Sequence, residues 1–147
     1  MIEKIIKLCT DFNGQKSAKF EGIGLVVYND FDDLPVIPLN EKKIPFTLPV
    51  VNYENILKVL IEVSSSESIY QDGFHLLSED LSLTHISQYF STPIKKELKV
   101  KNNYGSRYRT ALYGSLLPNV IYTIVISKDY GIVIFSDGKE LFTQKSS

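Results

Sequence analysis

Cysteine, histidine and net charge are all scarce in this 147-residue chain. The lone cysteine, Cys9, excludes an internal disulfide, so the fold must rest on its core and a reducing compartment is expected. Cys9 sits among apolar residues and reads as a buried thiol rather than a nucleophile. Two histidines, far from Cys9 in sequence, are too few for a zinc site. The formal net charge of −1 gives no overall attraction to nucleic acid or anionic lipid, so any anion site has to be local. No apolar run approaches the roughly 20 residues of a membrane span. The opening "MIEKIIKLCTDF" breaks its apolar residues with charges, unlike a signal peptide. There is no internal repeat, linker or low-complexity tract. These absences point to a cytoplasmic protein, or the soluble domain of one, with no nucleic-acid or membrane partner.

What is present suffices for one domain spanning 1–147, with ordinary apolar and charged fractions of 44% and 22%. Ile2, Ile5, Ile6, Cys9 and Phe12 follow helical spacing and predict an amphipathic helix over about 2–13. "GIGLVVYN", from Gly22, is apolar on both faces and predicts a central strand. Four prolines (Pro35, Pro38, Pro45 and Pro49) make 30–49 a loop with at most short edge strands. Asn52 is placed to cap a second helix whose inner stripe is Ile56, Leu57, Leu60 and Ile61. "GFHLLSEDLSLTHISQYF" predicts two strands joined around Ser78 to Asp80. A lysine-rich polar connection leads to a helix that opens at Ser106 and stops before Pro118. "VIYTIVIS" and "GIVIFSDGKELF" supply three more strands, the last two joined at an Asp-Gly turn. The fold class is therefore α/β, a mixed central β-sheet flanked by helices.

One placement needs a reason. The stretch "YGSRYRTALYG" puts Arg107 and Arg109 in the first turns of a helix. A helix N-terminus already carries about half a positive charge on unpaired N–H groups. Cations there cost stability unless they and the N–H groups share an anion such as phosphate. Gly105 lets the backbone approach closely, and Ser106 can cap the helix or donate to an oxygen. The plain alternative is that both arginines are solvated or paired with acidic neighbours. Asp72-Gly73, just ahead of a strand, offers a hard oxygen ligand for Mg²⁺ or Mn²⁺ facing such a site; the plain alternative is an ordinary turn.

The pair "DGF" and "GSRYRTA", about 35 residues apart, resembles the DGA and GTRHRAA motifs of the diadenylate cyclase (DAC) domain family. "IGLVVYND" and "IYTIVISKDYGIVIFSDGKEL" resemble further family segments in the same order, so the resemblance runs from about Phe20 nearly to the end. It implies a mixed sheet flanked by helices and a reaction that condenses two ATP into cyclic di-AMP with release of two pyrophosphates. It also implies face-to-face self-association, one ATP on each subunit, and a need for Mg²⁺ or Mn²⁺. Carried onto this chain, Asp72 and Gly73 are the catalytic pair. Asp72 is the metal ligand and helps activate the 3′-hydroxyl, with Asp129 as the alternative ligand. Gly105, Ser106, Arg107, Tyr108, Arg109 and Ser127 hold phosphate.

The departures imply an alternative. Phe74 replaces a small residue, Tyr108 replaces a histidine, Gln71 stands where the family often has histidine, and Lys128 replaces a metal-associated carboxylate. An ammonium in place of a carboxylate opposes metal binding. A catalytically degenerate domain that senses ATP or a cyclic dinucleotide would keep the arginines and lose the metal chemistry. His75 and His85 lie off the motifs and read as structural. "GIG" lacks the third glycine and the helix of a dinucleotide fingerprint, "NDFDD" lacks EF-hand spacing, and "KKELKVKN" has no interleaved aromatics for nucleic acid.

Overall fold

The computed structural model describes residues 1–40 and 44–145, so 41–43 of the proline-rich loop lie outside the described residues. Helix α1 spans Ile2–Gln15 and buries Ile5, Cys9 and Phe12 of the predicted stripe together with Leu8, whereas Ile2 and Ile6 lie partly buried at the margin of the core. Helix α2 spans Tyr53–Val63, and the side chain of Asn52 caps it by accepting from the Asn55 N–H at 3.1 Å. Its inner face carries Ile56, Leu57 and Leu60 as expected, together with Val59 and Val63, whereas Ile61 lies at the margin of the core. A three-turn helix against a twisted sheet buries a wider arc than one narrow stripe.

The strands are β1 (Gly22–Tyr28), β2 (Val36–Pro38), β3 (Phe74–Ser78), β4 (Leu83–Phe90), β5 (Val120–Ser127), β6 (Gly131–Ser136) and β7 (Lys139–Gln144). They form one sheet in the order β2-β4-β3-β1-β5-β6-β7. The pair β1–β3 is parallel, and the other neighbours are antiparallel. The sheet is thus mixed, and the fold is α/β as the chain order predicts. Strand β2 is a three-residue edge strand ending at Pro38, which has no N–H to extend the ladder.

Strand β1 lies at the centre and is buried on both faces, which explains its unbroken apolar run. Ile23, Leu25 and Val27 face a core shared with α1 and α2. Val26 and Tyr28 face a second core shared with helix α3 (Gly105–Gly114). That second core depends on matched sizes. A Cβ at Gly24 would lie 2.6 Å from the Phe74 ring, and one at Gly114 would lie 2.4 Å from the Phe90 ring. Phe74 and Phe90 meet edge to face at 5.3 Å. Phe74 therefore does not simply stand in a ligand pocket in place of a small side chain. Its ring fills the space left by Gly24 and is 3% exposed.

Strand register gathers one end of the sheet. Gly22 at the start of β1 pairs with Ser127 at the end of β5. Gly24 pairs with Phe74 in parallel, which puts Asp72 level with Gly22. Helix α3 begins over this end.

Candidate functional site

A 3₁₀ turn at Asn102–Tyr104 leads into α3, which starts at Gly105, one residue before the predicted Ser106. Gly105 has φ +85°, a left-handed conformation, although a Cβ there would meet nothing within 4 Å. Backbone geometry, not crowding, accounts for glycine at this point. The N-cap residue is Tyr104, and its side chain makes no capping bond. Ser106 is thus not the cap but an exposed first-turn residue beside N–H groups that have no partner within the helix.

Arg107 is half-buried. Its Nη2 donates to the Gln71 carbonyl at 3.0 Å. Its Nη1 lies 3.0 Å from where a Cβ of Gly22 would be, so the guanidinium lies close over the bare backbone of β1. The protein satisfies it only in part, since the buried Nε has no partner among the described residues.

Two clefts flank this side chain, and both are lined by Ser106 and Arg107. One, of about 260 Å³, contains Asp72, Gly73, Phe74, Tyr89, Phe90 and Thr110. The other, of about 240 Å³, contains Glu21, Gly22, Gly105, Ser127, Asp129 and Tyr130 among its walls. The larger hollows elsewhere in the chain contain none of the predicted residues. Gly73 holds Asp72 in place. It has φ +79°, and a Cβ there would strike the Gln88 carbonyl at 2.4 Å. The Asp72 carbonyl accepts from the Ser87 hydroxyl at 3.2 Å, while its carboxylate end is exposed. Ser127 Oγ accepts from the Asp129 N–H at 3.1 Å.

Asp72, Gly73, Gly105, Ser106, Arg107, Ser127 and Asp129 therefore come together around one ridge. Two predicted residues do not. Tyr108 is 2% exposed and turns into the second core, where its hydroxyl donates to Glu140. Arg109 is exposed and lines neither cleft. Arg107, Tyr108 and Arg109 leave the helix in different directions, because positions one and two apart do not share a face, and of the three only Arg107 lines the clefts. Tyr89, 51% exposed on the wall beside Asp72, was not singled out by sequence; its signal is an aromatic at an otherwise buried end of β4. Glu21 was missed too, because only the β1–β5 pairing brings it near Ser127.

The metal expectation meets a divided donor set. Asp72 lines one cleft and Asp129 the other. Among the described residues, no three His, Cys, Asp or Glu side chains are grouped to hold a metal ion. Lys128, at the family's carboxylate position, has its ammonium 3.5 Å from Glu21 Oε1. These residues do not make a resident metal site. A single carboxylate such as Asp72 suits only a cation that arrives already bound to phosphates.

The histidines are structural. His75 is fully buried, and its Nδ1 accepts from the Ser87 N–H at 3.0 Å. Burial, with a smaller contribution from the Arg107 charge, lowers its pKa to about 3. His85 stacks on Phe31 at 4.2 Å. Burial raises the Cys9 thiol to about 12, which leaves it protonated and inert. No helix among the described residues is long and apolar enough to cross a membrane.

No protein-family model matches the chain, and no curated protein matches it by sequence. Solved structures do resemble it. One is described as a hypothetical membrane-spanning protein from Bacillus cereus, with TM-score 0.68 and 15% identity over 95% of this chain. The chain spans 61% of the length of that protein. Another is a double mutant of DacA from Staphylococcus aureus, with TM-score 0.63 and 16% identity, covering 99% of this chain and 87% of that one. At such identities the likeness is one of fold: the chain has a DAC-like fold.

Proposed function

We propose that this chain binds the phosphates of an adenine nucleotide, ATP or cyclic di-AMP, at the opening of α3. The observation that carries the reading is Arg107 on the ridge between two clefts, held by Gln71 and flanked by Ser106 at the N-terminal turn of α3. A planar guanidinium and oriented N–H groups match phosphate oxygens with little reorganisation. Tyr89 offers an apolar face beside Asp72 for a base. The near-neutral surroundings, with Asp72, Glu21 and Asp129 nearby, favour a phosphodiester over a bare triphosphate.

A second reading is turnover as a diadenylate cyclase, and the shared cleft of Asp72 and Arg107 favours it. In that reaction the 3′-oxygen of each ATP attacks the α-phosphorus of the other. Two P–O bonds form, two pyrophosphates leave, and each hydroxyl proton goes to a base. Asp72 would accept that proton and hold the divalent ion that arrives with the nucleotide. The ion would neutralise phosphate charge. Arg107 and Ser106 would orient the phosphates, and two copies would have to face one another. Against turnover stand the Lys128–Glu21 pair and the separation of Asp72 from Asp129.

The test is calorimetry with cyclic di-AMP and with ATP, together with incubation in ATP and Mn²⁺ or Mg²⁺ analysed by chromatography. Binding without product supports the sensor, and cyclic di-AMP with pyrophosphate supports the cyclase. Neither binding nor product overturns both.

A further inference from the structure

We propose that Tyr108 is a positioning residue: with Glu140 and Lys101 it sets the roll of α3 and so aims Arg107 at the ridge between the clefts. The inference rests on the phosphate-binding reading for its function and on separate contacts for its geometry.

Tyr108 follows Arg107 directly, so the two side chains leave the helix about 100° apart. A fixed direction for one therefore dictates the direction of the other. Tyr108 is fixed on every side. Its ring meets Tyr104 edge-on at 5.1 Å and Phe135 at 5.0 Å. Its hydroxyl donates to a Glu140 oxygen that also receives the Lys101 ammonium at 3.1 Å. Glu140 sits opposite Phe135 in the β6–β7 ladder, so the anchor belongs to the sheet and not to a loop. Lys101 also lies 5.1 Å over the Tyr104 ring, which stacks on Tyr130 at 4.2 Å. The 3₁₀ turn and the first turn of α3 are thereby tied to β6 and β7 on one side. On the other side Arg107 reaches the Gln71 carbonyl.

Burial, reinforced by the Glu140 bond, raises the phenol's pKa, so it remains a donor throughout the neutral range. A hydrogen bond to a carboxylate is among the stronger ones, and removing its donor strands the acceptor. The tyrosine at a position where a ligand contact was expected thus has a partner of its own within this chain.

The experiment compares Tyr108→Phe, Glu140→Gln, the double variant and a control, Ile134→Val, which trims the opposite core. Two readouts are followed: ¹⁵N relaxation of the Arg107 Nε–H, and calorimetric affinity for cyclic di-AMP and ATP. Both single variants are expected to loosen Arg107 and to weaken affinity about tenfold, the scale of one charge-assisted hydrogen bond. The double variant should be no weaker than the worse single variant. Ile134→Val should lower the melting midpoint by a similar amount and leave both readouts alone. Unchanged Arg107 order in Tyr108→Phe overturns the inference, as does an equal loss in the Ile134→Val control. A wild-type protein that binds neither nucleotide overturns the proposed function instead, and the relaxation of Arg107 still decides this one.

Discussion

Arg107 Nη2 donates to the backbone carbonyl of Gln71 at 3.0 Å, across 36 residues of chain. The bond joins the opening of α3 to the residue just before Asp72, so the cation and the carboxylate are placed as one unit. It also orders a long side chain in advance, which lowers the entropy cost of capturing an anion.

Arg107→Ala should weaken affinity for cyclic di-AMP by about 10- to 100-fold, the range of a hydrogen bond to a charged group. Arg107→Lys should recover little, because an ammonium cannot bond Gln71 and present a planar fork at once. Titration calorimetry checks both; full affinity in the alanine variant would remove Arg107 from the site.

Asp72→Asn should keep nucleotide affinity within about threefold, because this carboxylate faces the ligand without carrying its phosphates; that is under 1 kcal/mol. If the wild type makes cyclic di-AMP, the same substitution should abolish product. Chromatography of ATP incubations decides, and equal turnover in the variant would refute the role given to Asp72.

Gly24→Ala should destabilise the fold by about 1–3 kcal/mol, as overpacking does, because its new methyl meets the Phe74 ring. Phe74→Ala alone should cost about 3–5 kcal/mol through the cavity it opens. The double variant should cost clearly less than the sum, since each change relieves the other. Urea unfolding measures the cycle, and strict additivity would show that the two sites do not press on each other.

His75 should make stability depend on pH. Its folded pKa of about 3 lies below the ordinary 6.5, so between those values the unfolded chain binds the extra proton. Stability is therefore fully present above pH 6.5 and is lost as pH falls, at about 1.4 kcal/mol per unit once the unfolded histidine is charged. His75→Asn keeps an acceptor for the Ser87 N–H and removes the titration. Denaturant unfolding at pH 7 and pH 5 should show a loss of about 2 kcal/mol in the wild type that is absent from the variant. Equal losses in both would assign the effect to other groups.

Local signals carried most of the element map. The helical spacing of Ile5, Cys9 and Phe12, the Asn52 cap and the double-sided run of β1 each follow from short-range rules, and each element lies within a few residues of its expected place. The DGF and GSRYRTA motifs likewise lie on the two segments that meet at the ridge, and their glycines, Gly73 and Gly105, answer a local need for positive φ. Sequence could not say which of three consecutive side chains would face the ridge. Arg107, Tyr108 and Arg109 diverge by the helical rotation, and their directions depend on where α3 docks against Phe135 and Glu140. Nor could it foresee that Phe74 would fill the space over Gly24, or that Lys128 would sit by Glu21, 107 residues away. Those are contacts between distant segments, set by sheet register and by the matching of side-chain volumes. They exist only once the chain has closed on itself.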